Sequence, residues 1–149
     1  DQDRSLWDRD LIVEGQSLVR ACLRRNHPGP YQIQAAINAV HSDAPTATAT
    51  DWRQILELYD QLLVLTPTPV VALNRAVALS EVAGPEAALV ALADIDLESY
   101  HLFHAVRADL LHRLGRDWEA AAAYDRAIAL NTNAAELDFL RRARQALVV

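Results

Sequence analysis

"YHLFHAVRADLLHRLGRDWEAAAAYDRAIAL", residues 100 to 130, is the stretch on which the fold turns. Two runs rich in Leu, Ala, Val and Ile stand on either side of Gly115, and neither shows the two-residue alternation of a half-buried strand. Glycine commonly follows a helix C-terminus, and a link this short gives the chain no room to cross a bundle, so the second helix has to return antiparallel to the first. Ala108 falls where the two helices must approach closely. Ala120 and Ala127 are the small positions of the second helix, and Tyr124 between them plugs the space that remains. The stretch predicts a helix-turn-helix unit.

Working outward, proline and glycine punctuate the rest of the chain into segments of helix length. The spacing predicts a first helix from Ser5 to about Arg25, with Ser5 as cap and Asp8 as its capping partner. Its stripe is Trp7, Leu11, Leu18 and Cys22, and Gly15 permits close approach of a neighbour. Pro30 launches "YQIQAAINAVH", with Ile33, Ala36, Ile37 and Val40 on one face. Thr50 or Asp51 caps "WRQILELYDQLLVL", where Ile55, Leu58, Tyr59, Leu62 and Leu65 keep helical spacing until "TPTP". "VVALNRAVALSEV", "EAALVALADI" and "AAELDFLRRARQAL" complete an all-α chain of about eight helices.

An internal repeat orders these helices. Trp52, Pro85 and Trp118 are spaced by 33, and at the same period Ile55, Ala88 and Ala121 align, as do Leu62, Ile95 and Ile128. A period near 34 in a helix-turn-helix unit is the signature of tetratricopeptide repeats, which stack because no single hairpin can bury its own apolar face. The expected architecture is a short right-handed α-solenoid in one domain, 1–149. It divides into an opening helix (1–27), a degenerate repeat (28–67), a second repeat (68–97), the best-matching repeat (98–131) and a capping helix (132–149). The capping helix sets Arg141, Arg142 and Arg144 beside Leu137, Leu140 and Leu147. A plain helical bundle with accidental periodicity is the alternative.

Composition narrows the function. A net charge of −6 gives no basic field of the kind that neutralises phosphates, so direct nucleic-acid binding by this chain is not expected. Cys22 is the lone cysteine, which excludes an internal disulfide or a thiolate zinc cluster and fits a reducing, cytoplasmic setting. No apolar run reaches the roughly 18 residues of a membrane span. The opening "DQDRSLWDRDLIVEG" (1–15) reads as a helix start that has lost an upstream neighbour, with Arg4, Trp7, Asp8 and Arg9 as the candidate interdomain seam.

Few residues suggest chemistry. Asp1, Asp3 and Ser5 have the spacing of a calcium loop, but Leu6 and Ile12 stand where an EF-hand needs Gly and Glu, so calcium is rejected. His101 and His104 lie three apart with Asp109 and His112 beyond them; without an H-E-x-x-H pattern they read as amphipathic fillers, and no metal or cofactor is expected. Asn74 and Arg75 come early in the first helix of the second repeat, where they either fork onto a partner's carboxylates or amides or brace their own hairpin. With His101, His104 and Arg107 they make up the candidate partner-binding groove. No phosphate loop or G-x-S-x-G elbow is present, so no catalytic residue is assigned and the chain reads as a non-enzyme.

"DQDRSLWDRDLIVEG", "GPYQIQAAINAVH", "TDWRQILELYDQLL", "PVVALNRAVA", "YHLFHAVRADLLHRLGR" and "EAAAAYDRAIAL" together span nearly all of residues 1–146. Over these stretches the chain resembles the C-terminal tetratricopeptide-like extension of bacterial extracytoplasmic-function sigma factors of the sigma-24 type. The resemblance implies a regulatory tail whose partners are RNA polymerase and the N-terminal sigma regions of the same protein. No stretch looks like either of those sigma regions. A small-molecule-sensing helical-repeat domain, using the same concavity as a pocket, is the alternative, and a hydrolase built from scattered Ser, His and Asp is the weakest reading.

Overall fold

A computed structural model of the chain describes residues 8–23 and 29–147. Among the described residues there are eight α-helices and no strand, as the sequence leads one to expect. The chain forms two compact units, Asp1–Val71 and Ala72–Val149.

The first unit contains α1 (Arg9–Leu23), α2 (Pro30–Asp43), a 3-10 turn (Ala47–Ala49) and α3 (Trp52–Leu65). Its N-terminus corrects the sequence reading: Asp8 itself is the cap, its Oδ1 accepting from the backbone N–H of Asp10 (3.0 Å) and Leu11 (3.1 Å), so the helix starts four residues after Ser5. Ser5, Arg4 and Trp7 lie outside the described residues. Leu11, expected on the buried stripe, is 65% exposed, and the side chains of Leu18 and Cys22 lie outside what is described.

Pro30 opens α2 as expected, and Ile33, Ala36 and Ile37 are buried while Val40 is half-buried. Asp51, not Thr50, caps α3, accepting from the Gln54 N–H at 3.1 Å. Ile55 and Leu62 are the buried positions of α3, Leu58 and Tyr59 are half-buried, and Leu65 is exposed in its last turn. Each fully buried Leu or Ile contributes about 1.5–3 kcal/mol, so these few residues carry most of what holds α2 against α3. His41 stands edge-on to Trp52, with ring centroids 5.1 Å apart.

The second unit contains α4 (Pro69–Ala83) from Ala72 onward, α5 (Pro85–Leu92), α6 (His101–Arg113), α7 (Asp117–Leu130) and α8 (Ala134–Ala146). α6 is its centre because both of its sides are apolar. Phe103 and Leu110 pack with Leu73 and Ala76 of α4 and Ala88 and Leu92 of α5. Ala108 and Leu111 pack with Ala120, Tyr124 and Ala127 of α7, and Leu140 and Leu147 close this second cluster from α8 and its end. The small positions read from the sequence, Ala76, Ala88, Ala108, Ala120 and Ala127, have no exposed surface.

The α6–α7 turn is a Schellman motif. Arg116 N–H donates to the Leu111 carbonyl (2.9 Å), Gly115 N–H donates to that of His112 (2.8 Å), and Gly115 takes the left-handed φ of 72°. At the α4–α5 break Gly84 has φ 92° and ψ 165°, a conformation only glycine adopts without strain, and Pro85 starts the next helix. Arg113 then ties α6 to α4: its Nη1 donates to Glu81 Oε1 (2.7 Å) and Ser80 Oγ (3.2 Å). Asn133 caps α8 through the N–H groups of Ala135 and Glu136.

Two substitutions test this packing by chemical denaturation. Ala120→Leu overpacks the α6–α7 contact and should cost about 1–3 kcal/mol. Gly84→Ala should cost about 1–3 kcal/mol through backbone strain alone, since a Cβ there meets nothing within 4 Å, whereas Gly115→Asn, at a left-handed position that Asn tolerates, should cost less.

Candidate functional site

The residues singled out from the sequence fall in separate environments. His101 is half-buried, with Nε2 3.1 Å from Glu136 Oε2, and the same carboxylate oxygen accepts from Asn131 Nδ2 at 2.8 Å. His101 therefore braces the start of α8 against α6. His104 is buried and donates from Nε2 to the Glu98 backbone carbonyl (2.9 Å), with the Glu98 carboxylate 3.7 Å away. It pins the link between α5 and α6. Asn74 is exposed and Arg75 half-buried on α4, and neither lines the clefts described next. Asp8 and Arg9 of the expected seam are exposed, with Asp8 serving as the cap of α1.

His104 and Arg107 do come together, at a pair of adjoining open clefts in the second unit. One, of about 300 Å³, has an apolar wall of Leu89, Leu92, Ile95, Phe103 and Leu111, with Glu98, Arg107 and Arg116 at its rim. The other, of about 340 Å³, is lined by Glu98, His104, Arg107, Glu119 and Arg126, with Ala122 and Ala123 between them. Glu98 and Arg107 belong to both. The folding reasons are local: α5 stops at Leu92, the link that follows carries Glu98 back across α6, and the alanine face of α7 leaves a depression where larger side chains would fill it.

Within the rim, Arg116 grips Glu119 with two parallel hydrogen bonds, Nε to Oε1 at 2.7 Å and Nη2 to Oε2 at 2.6 Å. This hydrogen-bonded pairing holds the Glu119 carboxyl below the ordinary glutamate range, with Arg116 and Arg107 adding attraction through space. In the core between α6 and α7, burial raises the Tyr124 hydroxyl above the usual tyrosine value, and the Asp109 carboxylate adds to the shift. No group of three His, Cys, Asp or Glu able to hold a metal ion occurs among the described residues.

Glu98, Glu119 and Arg126 were not legible as site residues. Glu98 sits in the acidic link "ADIDLESYH", whose path over α6 depends on tertiary packing. Arg126 had one faint signal: with Asp125 it interrupts the otherwise apolar last turns of α7.

No family model matches the chain. The chain is 50% identical over 143 residues to an uncharacterized protein of Rhizobium meliloti (strain 1021), a match covering 95% of this chain and 34% of that protein. The chain thus spans about a third of the length of the curated relative it matches.

The Arg116–Glu119 fork makes a pH prediction. Glu119 has a lowered folded-state value, so its pairing is fully present above the unfolded glutamate value and is lost as pH falls through the folded one. Carboxyl ¹³C titration should place Glu119 below the other exposed glutamates, and Arg116→Met should return it to their range. High salt should narrow the difference between the two proteins.

Proposed function

We propose that this chain is a regulatory protein-interaction domain, the helical extension of an extracytoplasmic-function sigma factor. It modulates transcription initiation through contacts with the sigma regions or RNA polymerase. The observation that carries the reading is the open double cleft of the second unit, apolar on one side and charged on the other, on a surface built from packed helical hairpins. Open grooves of mixed character suit partner segments, because burial of apolar side chains supplies affinity and the charged rim supplies orientation.

Three further features support it. The sequence resemblance to such extensions runs through nearly all of residues 1–146. The net charge of −6 suits docking on protein surfaces rather than on phosphates. The matched relative continues well beyond the aligned segment, as the relative of a module within a longer protein does. No helix among the described residues is long and apolar enough to cross a membrane, which is compatible with partners in the transcription machinery.

A second reading rests on the apolar wall of the 300 Å³ cleft, which is within the size range of small-molecule sites. In that reading the domain senses a metabolite and passes the signal to the same partners.

Biolayer interferometry of the purified chain against core RNA polymerase and against the sigma regions tests the proposal. It predicts saturable binding to at least one of them and at least tenfold weakening by Arg107→Glu, with a smaller effect of Arg75→Glu. Absence of binding to both, together with no effect of the chain on in vitro transcription, overturns it. A metabolite that raises the melting temperature at stoichiometric loading while neither protein binds would establish the second reading instead.

A further inference from the structure

The charged half of the double cleft holds two guanidinium groups that the fold itself does not employ. Arg107 of α6 and Arg126 of α7 line the same 340 Å³ depression, and among the described residues neither has a carboxylate within 4.0 Å. Four other arginines of the second unit are paired with acids. Arg113 is paired with Glu81, Arg116 with Glu119, Arg142 with Asp138 and Arg144 with Asp125. In a chain with 20 acidic and 14 basic residues, acidic side chains are in surplus, so two arginines sharing one cleft without one is a departure from the local pattern.

The acidic residues that line the cleft do not pair with these two arginines. Glu119 is held by the bidentate fork of Arg116, and the Glu98 carboxylate forms no ion pair within 4.0 Å with either guanidinium. A guanidinium presents a planar fork that matches a carboxylate, so Arg107 and Arg126 are open to an incoming acid. Next to them, and sharing Arg107, lies the wall of Leu92, Ile95 and Phe103, which can take an apolar side chain.

We propose that the double cleft binds an acidic peptide segment of a partner protein. An apolar side chain rests against Leu92, Ile95 and Phe103, and a neighbouring carboxylate is held by Arg107 and Arg126. A peptide fits better than a small acid because both halves are open to solvent, whereas small-molecule sites enclose roughly 70–90% of their ligand's surface. The inference rests on the interaction-domain reading and supplies the chemistry of what that domain recognises.

The test is an NMR titration of ¹⁵N-labelled protein, observing the arginine side-chain Nε–Hε signals, with a short peptide alternating aspartate and leucine. Controls are the asparagine–leucine peptide, the aspartate–serine peptide and octanoate. Saturable shifts at Arg107 and Arg126 are expected, with binding at least tenfold weaker for the asparagine–leucine peptide and weakened again by salt. The aspartate–serine peptide should also bind more weakly.

Arg107→Gln and Arg126→Gln should each lower affinity at least fivefold. Arg107→Lys and Arg126→Lys, which keep the charge and lose the fork, should fall between. Both positions of substitution are exposed, and a circular dichroism melt verifies folding of each of the four variants.

No saturable shift at millimolar aspartate–leucine peptide, equal binding of the asparagine–leucine peptide, or tighter binding of octanoate would each overturn the inference. If the chain binds polymerase or the sigma regions but not this peptide, the acidic-segment inference fails and the interaction domain stands. If it binds the peptide but neither protein, the sigma assignment fails and the cleft chemistry stands.

Discussion

The close approach of α6 and α7 is the constraint on which the second unit depends. Ala108, Ala120 and Ala127 have no exposed surface, and Tyr124 occupies the gap that three methyl groups leave. Small side chains bring the helix backbones near enough that almost every atom at the contact has partners, and an extra methylene there has nowhere to go. Because α6 also packs through Phe103 and Leu110 against α4 and α5, its position is determined from two sides. The clefts form along the helix that is packed on both sides.

The same constraint links packing to chemistry. α7 packs in the α6 core cluster through Ala120, Ala123 and Ala127, and beside that contact Ala122 and Ala123 line the charged depression that also holds Arg107 and Arg126. The Schellman turn at Gly115 presents Arg116 to Glu119 one turn into α7, which removes that carboxylate from competition for the cleft's other arginines. A tight hairpin thus leaves a charged cleft as the consequence of its own close fit.

Much of this was legible from residue types. The 33-residue period aligned Ile55, Ala88 and Ala121, and all three are buried; Asp51 caps α3 and Pro30 and Pro85 open their helices as their chemistry dictates. The departures come from local geometry that spacing alone does not show. Asp8 is itself the cap of α1, and Leu65 is exposed because it sits in the last turn of α3 before "TPTP".

The site was less legible, since His101 and His104 share a helix face yet serve the α8 cap and the α5–α6 link, partners 35 and 6 residues away. The tie from Arg113 to Ser80, 33 residues apart, had an unused signal: residues one period apart stand at the same height in successive hairpins.

Native-state hydrogen exchange tests the central claim, that α6 and α7 form one cooperative element through their alanine contact. The amides of α6 and α7 should open at a common free energy and rank as the most protected in the second unit. If the amides of α7 instead exchange through openings of their own, well below the free energy that protects α6, the two helices are not held as one element and the account fails.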